Sequence, residues 1–272
     1  MTTGLERLAA AFERARTEKR KPLVLYLTAN DPDFETSLRV INAAARAGMD
    51  ILELGVPWSD PSADGLAIQG AMARAIKSGG GLRRTLLLCR RIRDENPTLP
   101  IVLFGYANPI VVMGIENYAM AAEAAGADGT LCVDWPADDD STLPSALRAQ
   151  SLAFVPLLAP TSTESRMASV LKVASGFVYY VSLTGITGAA LTDFSDVGDQ
   201  VKRIRSLCPA ELPVVVGFGI KTPDDARAVA QHADAVVVGS AAVRIIETAH
   251  VAGRDPAPEM AAFVQACKAV LG

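Results

Sequence analysis

The chain has 272 residues, half of them hydrophobic, which is enough to bury a full core and is the usual size of one α/β barrel. Its net charge of −4 is spread over interspersed acidic and basic residues with no basic stripe, which argues against nucleic acid and anionic membranes as partners. No apolar run approaches the ~20 residues of a membrane span, and Met1–Ala10 lacks the apolar core of a signal peptide, so a cytoplasmic protein is expected.

In chain order, a helix near Thr3–Arg16 is expected to cap the bottom of the fold, followed by eight strand-length apolar runs. These are Leu23–Thr28, Met49–Leu54, Pro100–Gly105, Asp128–Asp134, Ala153–Leu158, Phe177–Ser182, Pro213–Phe218 and Asp234–Gly239. Continuous rather than alternating apolar runs suit strands buried on both faces of a parallel sheet. Segments of helical period separate them, among them Phe34–Ala47, Ile115–Ala125, Ser162–Ala174 and Pro223–Gln231. Ala47-Gly48-Met49-Asp50 and Ala125-Gly126-Ala127-Asp128 each close a helix on Gly and open a strand two residues on. Thr222-Pro223-Asp224 opens a helix with an N-cap and a Pro at its first position. Strand two is followed by a long loop, Pro57–Leu66, and then two helices. Eight such units without a linker predict one domain over 1–272, a single (β/α)8 TIM barrel with an extra N-terminal helix. Its active-site loops lie at the C-terminal ends of the strands.

The titratable inventory narrows the chemistry. Cys89, Cys132, Cys208 and Cys267 are scattered with no C-x-x-C pair, and His232 and His250, the two histidines, fall late in outer helical stretches. That leaves almost no material for a disulfide, a zinc site or a Ser-His-Asp triad. A Schiff-base lysine at a strand end is also missing; Lys221, after strand seven, comes closest. Glu53 lies inside an apolar strand, one residue before its end, with no Lys or Arg in any strand core to pair with it. A buried glutamate is either paired or functional, and a strand end is where this fold does its chemistry. Desolvation would raise its pKa and let it trade protons near neutral pH. Asp60 and Asp64 follow in the loop; each reads as a turn residue or, with Glu53, as part of a carboxylate-rich mouth.

Three Gly-rich segments follow strands six, seven and eight: Thr184–Gly188, Gly217-Phe218-Gly219-Ile220 and Val238-Gly239-Ser240-Ala241. Backbone N–H groups there, with a helix starting at Ser240, make a phosphate site in the usual place for this fold. The Gly/Ala/Thr-rich stretch Leu183–Ser195 is expected to be a lid.

The Glu53–Gly65 run, E-L-G-V-P-W-S-D-P-S-A-D-G, resembles the motif of the tryptophan synthase α family. Tyr26–Pro32, Gly105–Ile110, Ser175–Ser182, Thr184–Gly188, Val216–Ile220 and Gly239-Ser240 resemble it too, so the likeness covers nearly the whole chain. The resemblance implies a lyase that splits indole-3-glycerol phosphate into indole and glyceraldehyde 3-phosphate in L-tryptophan biosynthesis. It implies Glu53 as the proton-shuttling acid–base and Asp64 as the carboxylate that engages the indole N–H. Tyr179 would stand near the substrate glycerol and Thr187 would be the lid threonine that meets the strand-two aspartate, while Phe218, Tyr106 and Phe104 would line the indole pocket. Gly188, Gly219, Gly239 and Ser240 would contact phosphate; Asp60, Pro61 and Asn108 would meet a β subunit. No cofactor is expected in this chain, with pyridoxal phosphate in the β partner of an α2β2 assembly. Asn30 stands where the family has Gly, and Trp58, Ser62, Leu66 and Trp135 are further departures. Rival readings are an indoleglycerol phosphate synthase, a phosphoribosyl isomerase, a free-standing lyase and a non-catalytic activator of a β chain.

Overall fold

The structure, a computed structural model, describes residues 2–181, 195–217 and 219–272, the side chains of Ser195 and Asp196 excepted. Nine parallel strands lie among them: β1 (Leu23–Thr28), β2 (Ile51–Gly55), β3 (Ile101–Gly105), β4 (Gly129–Cys132), β5 (Ala153–Phe154), β6 (Leu157–Leu158), β7 (Val178–Val181), β8 (Val214–Gly217) and β9 (Ala235–Val238). Helices α1 (Gly4–Thr17), α2 (Phe34–Ala47), α3 (Leu66–Lys77), α4 (Leu82–Glu95), α5 (Ala107–Met113) and α6 (Ile115–Ala124) belong to the first half. The second half carries α7 (Thr142–Ala149), α8 (Glu164–Leu171), α9 (Ser195–Leu207), α10 (Pro223–Ala230), α11 (Ser240–Val251) and α12 (Ala257–Ala269).

The expected fifth strand is two short ones, because Pro156 interrupts it and has no N–H to donate. The sheet still closes through that segment. Val155 N donates to Thr130 O of β4 at 2.9 Å, and Tyr179 N of β7 donates to Pro156 O at 2.9 Å. With sheet order β5-β4-β3-β2-β1-β9-β8-β7-β6, this is the (β/α)8 TIM barrel, its fifth staves being the two pieces of one stretch.

Alternation along each strand sorts the core into two shells. Leu52 and Leu54 of β2, like Leu25 and Leu27 of β1, pack outward against the helices. Val24, Tyr26, Ile51, Val102, Phe104 and Tyr179 pack inside the barrel, with Leu8 and Ala11 of α1 entering from below. The expected bottom-capping helix is thus present; Thr3 and Glu6 form its reciprocal capping box. Glu53 shares the inward parity of Ile51, so it too faces the interior.

Several strands begin later than expected, and one reason recurs. Asp50, Asp128 and Asp234 sit just before their strands; each donates its backbone N–H to the neighbouring strand and uses its carboxylate to cap that strand's start. Asp50 accepts from Leu23 N at 2.9 Å and from Arg20 at 2.6 and 2.8 Å. Asp128 accepts from Ile101 N, Arg7 and Arg93, each at 2.6 Å. Asp234 accepts from Val214 N at 2.8 Å and Arg205 at 2.6 Å. At the other end, β4 stops at Cys132 rather than Asp134, whose carboxylate accepts from Ala107 N at 2.7 Å.

Candidate active site

At the C-terminal mouth of the barrel, Glu53 is fully buried, and neither carboxylate oxygen accepts a hydrogen bond from any described residue. Burial alone pushes its carboxyl up to about 8, so at neutral pH it is mostly protonated. Around it stand aromatic side chains from three strands. Tyr26 meets Phe104 edge-on at 5.1 Å between ring centroids, and Phe104 meets Tyr179 at 6.3 Å. Two strand-end glycines make room for these rings. A Cβ on Gly55 would sit 2.3 Å from the Tyr26 hydroxyl, and one on Gly217 would sit 2.0 Å from the Tyr179 hydroxyl. Burial first, then the carboxylates of Asp64 and Glu53, hold both phenols well above their usual range, so they stay neutral. Both carboxylates therefore act on the same pair of tyrosines.

Asp64 lies half-buried in the loop between β2 and α3. The Tyr106 hydroxyl donates to its carboxylate at 2.7 Å and accepts from Ala63 N at 3.1 Å. Gln69, in the first turn of α3, donates to the Asp64 carbonyl at 2.7 Å. Burial raises the Asp64 pKa while the Tyr106 bond lowers it.

Two of the Gly-rich segments expected to hold an anion follow β8 and β9. Ser240 opens α11 behind Gly239, and the first acceptor bond of that helix is Val243 N to Gly239 O at 3.0 Å. The preceding N–H groups have no intrahelical partner, and the helix dipole adds to their pull on an anion. A Cβ on Gly239 would lie 3.4 Å from the Tyr26 Cβ, so this helix end adjoins the aromatic wall. Gly219 takes a left-handed φ of +76°, which a side chain would strain. A groove of about 1410 Å³ also opens at the opposite end, between α1 and the strand starts; it contains none of these groups. Among the described residues no His, Cys, Asp or Glu side chains are grouped to hold a metal ion. Lys221 is exposed.

The family model for the tryptophan synthase alpha chain matches residues 12–271. The chain belongs to that family. A tryptophan synthase alpha subunit of Legionella pneumophila str. Paris is 33% identical over 97% of this chain and 98% of its own, with a TM-score of 0.90. A Mycobacterium tuberculosis tryptophan synthase chain is 31% identical over 97% and 98%, with a TM-score of 0.87. A protein of Aquifex aeolicus VF5 is 35% identical over the same shares, with a TM-score of 0.87. The alpha-chain reaction is the retro-aldol cleavage of indole-3-glycerol phosphate to indole and glyceraldehyde 3-phosphate in L-tryptophan biosynthesis, and this chain is accordingly a carbon–carbon lyase.

Set against the family reading of the sequence, Glu53, Phe104, Tyr179, Tyr106 and Asp64 come together at one mouth, with Gly239 and Ser240 on the Tyr26 side. Thr187, Gly188, Phe218 and the expected lid up to Phe194 lie outside the described residues. Asp60 and Asn108 are exposed and Pro61 half-buried, on the rim rather than in the pocket. Sequence reasoning placed Tyr106 only as pocket wall and passed over Tyr26 and Gln69. The signal for Gln69 was its spacing, one turn into a helix that begins two residues after Asp64.

Proposed function

We propose that Glu53 carries both proton transfers of the cleavage and Asp64 holds the indole nitrogen. The observation behind this is a fully buried carboxyl without a hydrogen-bond donor among the described residues, raised to about 8 and sharing Tyr26 and Tyr179 as neighbours with a second carboxylate. Neutral Glu53 gives its proton to indole C3, and the ring becomes an indolenine-like cation. Ionised Asp64 accepts from the ring N–H and stabilises that charge. Glu53, now a carboxylate, takes the proton of the adjacent glycerol hydroxyl. The bond between C3 and the glycerol carbon then breaks, its electrons return to the ring, and an aldehyde forms. Glu53 ends the cycle protonated, so no proton is gained or lost.

In the same reading Phe104, Tyr106 and Phe218 line the flat indole and Tyr179 stands near the substrate glycerol. Gly188, Gly219, Gly239 and Ser240 take the phosphate, and Thr187 of the lid meets the aspartate after strand two. In this reading residues 1–272 form one domain that works in the cytoplasm, without a cofactor of its own. Its partner is a tryptophan synthase β subunit in an α2β2 assembly, met by Asp60, Pro61 and Asn108. Exposed apolar side chains beside those residues support a docking face: Leu66 is 86% exposed, Val112 80% and Val111 57%. No described helix is long and apolar enough to cross a membrane.

Indole release from indole-3-glycerol phosphate, measured with the chain alone and with a β subunit, tests the assignment. Glu53→Gln is expected to lower turnover by at least ~10²-fold in both settings while keeping the fold. Near wild-type release by that variant would remove Glu53 from the mechanism.

A further inference from the structure

Among the described residues, the Tyr106 hydroxyl is the one group that donates to the Asp64 carboxylate, at 2.7 Å. The same oxygen accepts from Ala63 N at 3.1 Å, so one hydroxyl grips both the carboxylate and the backbone just before it. Its own position is fixed from below. Tyr106 follows β3 directly, is 3% exposed, and caps α5 with extended backbone angles of −115° and 156°. Val56, at the start of the Asp64 loop, donates its N–H to Phe104 O of β3 at 2.8 Å. The loop is thereby tied to β3 at one end and to Tyr106, the residue after β3, at the other, and Gln69 holds the Asp64 carbonyl from the α3 side at 2.7 Å.

We propose that Tyr106 is a positioning residue for the cleavage, its hydroxyl orienting the Asp64 carboxylate toward the ring nitrogen, with Gln69 as a second strut that fixes only the backbone. This rests on the role given to Asp64 above. A tyrosine kept merely as an aromatic wall would need no hydroxyl bond to a carboxylate, and here both hydrogen-bonding capacities of the oxygen are spent on the loop. The bond also favours the ionised form of Asp64, opposing burial. The other titratable groups facing this pair are Tyr26 of β1, Glu53 of β2, Tyr179 of β7 and, on the far side of Tyr106, Asp134. The phenols stay neutral, and Glu53 titrates on the alkaline side. Because the proposal needs Asp64 ionised at the ring nitrogen, its protonation is expected on the acid limb of kcat/KM.

Tyr106→Phe keeps the ring and removes the donor. On the full chain it is expected to lower kcat roughly 10- to 100-fold, the scale of one hydrogen bond to a charged group, with little change in KM. It is also expected to move the acid limb to higher pH, because an undonated carboxylate protonates sooner. Gln69→Leu is expected to lower kcat with the acid limb unmoved, since it touches only the carbonyl. A Tyr106→Phe enzyme with wild-type kcat and acid limb would overturn the proposal, as would a lower kcat with an unmoved limb. Asp64→Asn, assayed in parallel, separates the two levels. If it cleaves substrate normally, the role of Asp64 itself fails; if it is inactive while Tyr106→Phe is normal, only the positioning role fails.

Discussion

Asp50 and Glu53 are three residues apart on one segment of chain, both are buried, and their surroundings are opposite. Asp50, at the bottom of the barrel, takes a two-pronged guanidinium from Arg20 and the N–H that opens β1. Glu53, one side chain short of the top, takes nothing from the described residues. Asp128 and Asp234 repeat the Asp50 pattern at the starts of their strands. At the other end Asp31, buried in the loop after β1, is held by Arg74 at 2.8 and 3.0 Å, so the unpaired state belongs to Glu53 itself. A buried charge is tolerated when it is neutralised and hydrogen-bonded, or it gives up the charge. Asp50, Asp128 and Asp234 follow the first course and serve stability; Glu53 follows the second and holds its proton up to about 8.

Breaking the bottom set should cost the most. Asp128→Ala leaves Arg7, Arg93 and Ile101 N without their shared acceptor, and removing one partner of a buried ion pair typically costs about 3–5 kcal/mol. Denaturant unfolding should show that loss, with kcat of the folded fraction unchanged. A fall in kcat at constant stability would blur the division between the two ends.

The top end predicts a stability effect of opposite character. Glu53 binds its proton more tightly in the folded chain, at about 8, than at its ordinary value of 4.5. Between those values the folded state holds more protons than the unfolded one, so its contribution to stability falls as pH rises. The span corresponds to on the order of 5 kcal/mol. Unfolding measured from pH 5 to pH 9 should decline more steeply for the wild type than for Glu53→Gln. Parallel curves would mean that Glu53 is paired in solution.

A smaller effect sharpens the comparison from the loop after β1. Asn30, buried with φ of +68°, donates to Ser78 Oγ at 2.9 Å and accepts from Arg84 Nε at 3.1 Å. Its side chain ties this loop to the α3–α4 turn and to the start of α4. Asn30→Ala should lose about 1–3 kcal/mol from left-handed strain and lost bonds, and Asn30→Gly less, because Gly keeps the backbone relaxed. Equal losses in thermal unfolding would show that the backbone conformation contributes nothing.

Much of this was legible in the sequence, for reasons the structure makes explicit. Apolar runs marked every strand because both faces are covered, and Phe34–Ala47 is helical over the expected residues because Asp33 caps it and Gly48 ends it in the left-handed region. Pro156 was visible, but that it would split a strand without opening the barrel depends on pairing with β4 and β7, which is not local. Asp50 and Asp128 were seen as residues after a helix-ending Gly; their arginines come from up to 121 positions away, beyond any spacing rule. Glu53 stood out because charge is rare inside such a strand. Tyr106 was named for its ring, and its hydroxyl role depends on a loop folding back across 42 residues.

The most direct test of the unpaired top carboxylate is its own titration. Carbon-13 NMR of glutamate-labelled protein between pH 5 and pH 9, with Glu53→Gln to identify the resonance, should show the Glu53 carboxyl changing form with a midpoint near 8. A Glu53 signal already fully ionised at pH 6 would contradict the account.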